Sequence, residues 1–353
     1  MTTDEKGAYG RITIRMERSP RSSTIHPPKL IPSFVAGFNA IASHVYLVIF
    51  PICLDVLLWF GPLVRIKNIM LPILESSLEQ MRGIYAAETM QLMEASKDTV
   101  SDVLGQLNLL FGLRTFPIGI PSLMVGLVPL NNPLGSLSAM ELNSFSSAFL
   151  LLLLLALTGV VMGSIFFSLV ARTANPHGKD QPKINLFQQI QQSMLLFLLA
   201  LLLLTGLAFP SMCFLSSIGM FLPNLGVIPI YILGVVLVWM LLPLVFSAHG
   251  IFVTQSKAWP SITTSIRLVR RYLPGTGMFF LIAILLSQGL DLLWATPETS
   301  SWLMAIGILG HAFIASGVLA ASFVYYAKGL EWMQEVQRRV EAQKQKIEPP
   351  QAS

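Results

Sequence analysis

The chain has 353 residues, of which 54% are hydrophobic and only 12% charged, against roughly 25% charged in an ordinary soluble domain. With a mean hydropathy of +0.67, this composition excludes a soluble globular domain and points to one membrane domain with tails. The net charge of +5 is spread along the chain without a basic patch interleaved with aromatics, so it reads as membrane orientation and gives no reason to expect a nucleic-acid partner.

Residues 1–33 carry Lys6, Arg11, Arg15, Arg18, Arg21 and Lys29 among prolines and serines. This pattern predicts a disordered basic tail, with only a weak alternation at 11–16. It is not a removable signal peptide, because the first apolar stretch is too long and too late. Ser33 is placed to cap a short amphipathic helix, Phe34–His44, leading into a first span over Ile41–Val64; together they form the unit 34–64. Trp59 suits an interfacial aromatic belt, and Gly61-Pro62 ends the span.

Residues 65–143 form an acidic insertion with helical stripes at Met70, Ile73, Leu74, Leu78, Met81 and Tyr85 and at Val100, Val103, Leu104, Leu107 and Phe111. Its second half, Pro117 to Gly135, is apolar but full of helix breakers. It is too short to span, so it either packs on the bundle's outer face or dips in as a re-entrant loop.

The five-helix region 144–327 follows. Span two covers 144–170 and carries Gly159-Val-Val-Met-Gly163, a small-xxx-small pattern for close helix packing. After a basic loop at 172–183, Asn185 caps span three (193–216). Span four (227–252) contains Pro229 and Pro243, and spans five (277–294) and six (302–326) complete the set. The tail 328–353 is charged and amphipathic. Cys53 and Cys213 both sit in apolar spans, with neither disulfide nor metal-type spacing.

Between spans four and five lies an amphipathic elbow. Trp259, Ile262, Ile266, Val269 and Leu273 mark one face, and Lys257, Arg267, Arg270 and Arg271 lie around the others. Such a helix lies in the interface, with its cations available to anionic lipid headgroups. Lys and Arg occupy the amino tail, the 172–183 loop, this elbow and the carboxyl tail, while the 217–226 and 295–301 turns have none. The expected fold is therefore all-α and polytopic, with about six spans, both termini cytoplasmic, amphipathic interfacial helices and an extracytoplasmic insertion.

From Ile251 to Leu293 the chain reads span, polar helix, span, with Ser261-Ile262, Ser265, Leu268 and Arg270-Arg271 in the polar helix and Tyr325-Tyr326 late in span six. This resembles the six-helix membrane domain attached to some glycerophosphodiester phosphodiesterases. The stretch from Gly37-Phe-Asn-Ala to Asp55 and Trp59-Phe-Gly-Pro62 is similar to stand-alone bacterial members. The resemblance covers about half of the chain, and the long insertion departs from it. No phosphodiesterase catalytic domain is present, so the resemblance implies a bacterial membrane module without that activity.

The ionisable residues within the spans are His44, Asp55, His249, Asp291 and His311. A carboxylate at mid-bilayer costs about 2.5–3.5 kcal/mol on insertion scales, so it faces the bundle interior with a partner. Asp55 and His311 fall at matching depths. They form a candidate polar site with Asp291, or else bond freed carbonyls in a purely structural role. No phosphate loop, zinc motif or Ser–His–Asp set stands out, and no cofactor is expected. The reading is a non-enzymatic plasma-membrane protein acting through helix packing, lipid contact or a partner protein, with a transport component using Asp55 and His311 as the alternative.

Overall fold

A computed structural model describes residues 26–82, 87–175, 185–221 and 228–347. The first 25 residues with the 11–16 alternation, most of the 172–183 loop, the turn at 222–226 and the closing prolines lie outside the described residues.

The chain opens with α1 (Leu30–Ser43), passes through a 3₁₀ turn at Val45–Val48 and continues as α2 (Ile49–Phe60). The insertion holds β1 (Leu63–Arg65), α3 (Lys67–Met81), α4 (Ala87–Gln106), the one-turn α5 (Met124–Leu127), β2 (Asn131–Asn132), β3 (Gly135–Ser136) and β4 (Ala139–Glu141). Then come α6 (Phe145–Ala174), α7 (Leu186–Phe221), α8 (Ile228–Leu241), α9 (His249–Val253), α10 (Ala258–Arg271), α11 (Leu273–Trp294) and α12 (Met304–Ile347). Among the described residues five stretches are long and apolar enough to cross a membrane: 145–174, 186–215, 228–253, 273–294 and 304–343. The bent α1–α2 pair makes a sixth. The protein is an all-α, multi-pass membrane protein.

α12 is the central helix. The α1 helix runs antiparallel along it, with Gly37 against Ala321 and Phe38 against Gly317, and α11, α6 and α2 complete the ring around it. The elbow end, where α9 turns into α10, is filled by rings: Phe34 stacks on Phe279 at 4.8 Å, and Phe279 on Tyr325 at 4.4 Å. The opposite, loop end is closed by Trp59, whose Nε1 donates to the Thr299 carbonyl at 2.7 Å. There β1 and β4 pair in parallel, Leu63 beside Ala139 and Arg65 beside Glu141, and join the two ends of the insertion. β2 and β3 form a minimal antiparallel turn.

Several expectations are corrected. The first span is not one rod after an interfacial helix, because α1 and α2 meet at 91°. Pro51 has no N–H to offer the carbonyl of residue 47, so α2 must start afresh just ahead of it. α1 buries Phe34, Gly37 and Ile41 in the bundle. Ser33 lies inside α1 and donates to the Lys29 carbonyl at 2.8 Å; Lys29 is the N-cap. Asn185 does cap α7, accepting from Gln188 N at 3.3 Å. Trp59 is buried against the loop-end turn rather than facing lipid. The insertion's α3 and α4 form an antiparallel pair tied by Glu75–Lys97 and Arg82–Glu94 ion pairs, both 2.7 Å. The carboxylate of Glu94 raises the Arg82 guanidinium pKa further. Val100, Val103 and Leu107 of the predicted stripe remain exposed. α12 runs through Tyr326 into the charged tail as one helix.

Span four breaks at Pro243, and the break explains the elbow. α10 turns Ser261, Ser265, Leu268 and Val269 inward, while Trp259 of the predicted apolar face is 66% exposed. Ser265 Oγ donates to the Pro243 carbonyl at 2.7 Å and accepts from Phe246 N at 3.1 Å; Ser261 Oγ donates to the Ser247 carbonyl at 2.5 Å. Two serines one turn apart thus satisfy the backbone groups freed where α8 ends. Ser265→Ala leaves a buried carbonyl and amide without partners, and a loss of about 1–3 kcal/mol is expected in a denaturant titration of the purified protein.

Candidate functional site

α2 buries Pro51, Leu54, Asp55, Leu58 and Trp59, the i, i+3, i+4 face of a helix packed on one side. Asp55 is fully buried. Its Oδ1 accepts from Ser122 Oγ at 2.5 Å and Met124 N at 3.0 Å, and its Oδ2 accepts from Leu123 N at 3.1 Å. Ser122 Oγ in turn accepts from Val125 N at 3.3 Å. A carboxylate from another element therefore caps the short helix α5, whose amino end offers unsatisfied N–H groups and positive potential.

The segment that Asp55 caps runs back into the helix bundle alongside α6. Gly112 sits beside Leu152, Leu113 and Thr115 against Gly159, and Ile118 and Gly119 against Gly163. From Leu152 to Gly163 these contacts follow α6 for about 16 Å at 1.5 Å per residue. Ile118 and Met124 are completely buried there. A Cβ at Gly159 would overlap the Leu113 carbonyl, and one at Gly163 would press on Gly119. The small-xxx-small pattern thus receives a non-helical backbone rather than a second helix. Such backbone is tolerated among membrane spans only because it is enclosed in protein.

On the other side of α12, His311 Nδ1 and Asp291 Oδ1 are 2.6 Å apart, with side-chain exposures of 5% and 22%. With Asp291 accepting, Nδ1 carries the proton, and Nε2 is buried without a hydrogen-bond partner. α11 approaches closely enough because Gly310 lies against the Trp294 ring and Gly307 against the Trp294 carbonyl. Of the three predicted polar residues, the fold joins Asp291 to His311. Asp55 shares no hydrogen bond with His311, although the two are close enough to interact electrostatically. The remaining histidines of the spans have other partners. His44 Nδ1 lies 3.0 Å from the Ala40 carbonyl, and His249 Nε2 lies 2.7 Å from Ser322 Oγ. Ser322 gives its own proton to Leu319, so His249 is the donor of that pair.

Lys257, Arg267, Arg270 and Arg271 are all exposed on α10 or at its amino end. Among the described residues none of the four is in an ion pair with an acidic side chain. Arg267 reaches only Thr263 and Thr264 of its own helix.

Ser261 and Ser265 stand out in the sequence only as part of the resemblance, and Ser122 and Asn108 do not stand out at all. Asn108 is buried; its Oδ1 accepts from Val64 N and Leu110 N at 3.1 Å each, and its Nδ2 donates to the Pro62 carbonyl at 3.4 Å. The only signal for these residues was a small polar side chain beside an otherwise apolar run, which many exposed residues share. Comparison with protein-family models, curated proteins and solved structures found no match to this chain.

Proposed function

We propose that this chain is a non-enzymatic protein of the bacterial plasma membrane that acts through the lipid-facing surface of its helices. The observation that carries this reading is the placement of α8. Its side chains are apolar throughout; Pro229 is buried, Leu233, Leu237 and Leu241 on the same face are half-buried, and every other residue of the helix is exposed. A helix hydrophobic on every side needs an apolar surround, and here the surround is lipid or another membrane segment. The interior polar groups point the same way, since Asp55 spends its acceptors on the chain's own loop. In this reading the elbow end faces the cytoplasm and the insertion lies outside, because the short basic connections and the basic tail gather at one end. The likeness of 251–293 to the membrane domain of some glycerophosphodiester phosphodiesterases belongs to the same proposal.

A second reading, a transport component, is favoured by one specific observation. A broken span meets a buried loop at Asp55, near a His311 whose Nε2 is unpartnered, and discontinuous helices at mid-membrane are where transporters build their sites. Water access separates the two readings. With Cys53 and Cys213 replaced by serine, a cysteine at Leu54, beside Asp55, is expected to resist a water-soluble maleimide in membranes and react only after unfolding. Labelling in the folded protein would favour the transport reading instead.

A further inference from the structure

Between α8 and α11 lies an apolar groove of about 300 Å³, lined by Trp239, Leu242, Leu273, Pro274, Gly277 and Met278, with Leu281 at its far end. From Leu273 to Leu281 it runs about 12 Å along α11, close to the depth of one hydrocarbon leaflet. Its mouth is at the elbow end. There α10 finishes with Arg270 and Arg271, and α11 begins two residues later at Leu273. The joint is held by Tyr272, whose ring lies 5.7 Å from that of Trp332.

The surroundings of this mouth suit a ligand with a negative end. Arg270 and Arg271 are exposed, and among the described residues they have no acidic partner. The amino end of α11, a helix of 22 residues, has no side-chain cap, which leaves the Leu273 N–H without an intrahelical partner; Pro274 has none to offer, and Thr276 N is taken by the Tyr272 carbonyl. Below them the walls are mostly apolar and lie within a membrane span. A ligand that fits both parts is anionic at one end and a hydrocarbon chain at the other.

We propose that the groove and the arginine pair hold one anionic phospholipid, with an acyl chain against Trp239, Gly277 and Leu281 and the phosphate between Arg270, Arg271 and the start of α11. The site deepens the lipid-contact reading above and rests on it. It adds a defined position and a headgroup preference to what is otherwise a non-specific surface. Gly277 is the built-in opening of the groove, since a side chain there would meet open space.

The test is native mass spectrometry of the full chain in detergent, titrated with phosphatidylglycerol. The wild type is expected to hold one phosphatidylglycerol and to bind phosphatidylcholine more weakly. Arg270→Gln with Arg271→Gln should weaken phosphatidylglycerol binding about thirtyfold, the product of two interfacial cations. Gly277→Phe should weaken it with the charge unchanged, because its ring occupies the chain's place. This variant should fold normally, which circular dichroism melting verifies. Lys67→Gln, at the start of α3 in the insertion, should bind as the wild type does. If the arginine pair or Gly277→Phe leaves binding unchanged, or Lys67→Gln weakens it equally, the site is overturned while lipid contact survives. If the wild type holds no phospholipid at all, the lipid-contact reading falls with it.

Discussion

Asp55→Ala should destabilise the protein by about 3–5 kcal/mol, measured as the shift in a denaturant or thermal unfolding transition of the purified protein. The size follows from what remains behind. Removing the carboxylate strands the Ser122 hydroxyl and the Leu123 and Met124 amides at once. Each lies in a water-free interior, where an unmatched donor costs about 1–3 kcal/mol. Neutral bonds between membrane helices average only about 0.6 kcal/mol, because the competing state finds other partners. Residues 122–124 have no comparable alternative, as Asp55 is their one link to α2. Asp55→Asn should be milder, since one oxygen still accepts while the new amide meets a backbone N–H. An Asp55→Ala protein as stable as the wild type would mean that the loop is held by packing alone. The experiment also bears on function, because a carboxylate committed to the fold is a poor candidate for carrying a proton or an ion.

Gly37→Leu should prevent α1 from docking and sharply lower the yield of folded protein. A Cβ at this position would overlap the backbone nitrogen and Cα of Ala321. Neither atom belongs to a side chain that can turn away, so two helix axes must separate. Overpacking a core typically costs about 1–3 kcal/mol, and more when only backbone can yield. α1 is the most extensive partner of α12, so the whole elbow-end aromatic cluster around Phe34, Phe279 and Tyr325 would open with it. Gly234→Leu supplies the contrast. Nothing lies near a Cβ there, and exchanging glycine for leucine within a helix raises helix propensity. Size-exclusion profile and melting temperature compare the two. Equal behaviour would show that α1 is not part of the folded core.

Much of the architecture was legible without coordinates. Runs of twenty or more apolar residues leave little choice of state, because backbone groups in oil must bond within their own helix. The spans at 144–170, 193–216 and 277–294 appear as α6, α7 and α11 with ends shifted by several residues, and the span at 302–326 appears as the first part of α12, which runs on to Ile347. The proline at 243 and the amphipathic elbow were visible for the same local reasons. Partners were not legible. Matching depth suggested Asp55 with His311, yet depth along two helices says nothing of the angle at which each side chain leaves its axis. His311 faces α11 and finds Asp291, whereas Asp55 faces the loop. The hydrophobic stripe of α10 was legible as a pattern, but not how it divides, with Val269 buried, Ile262, Ile266 and Leu273 half-buried and Trp259 exposed. The bundle needed hydroxyls at Pro243, so the serine side turned inward.

The sequence alone determined that the chain is a multi-pass helical membrane protein, roughly where each span lies and where its cations gather. Those properties follow from transfer of side chains and peptide groups between water and hydrocarbon, which act on each segment independently. Tertiary structure alone decided that the first span folds back at a right angle, that residues 112–119 pack into the bundle along Gly159 and Gly163, and that Asp55 holds that loop while Asp291 holds His311. Those outcomes depend on contacts between segments far apart in the chain. A close approach is set by both surfaces at once, and a carboxylate bonds whichever donor the packing brings to it.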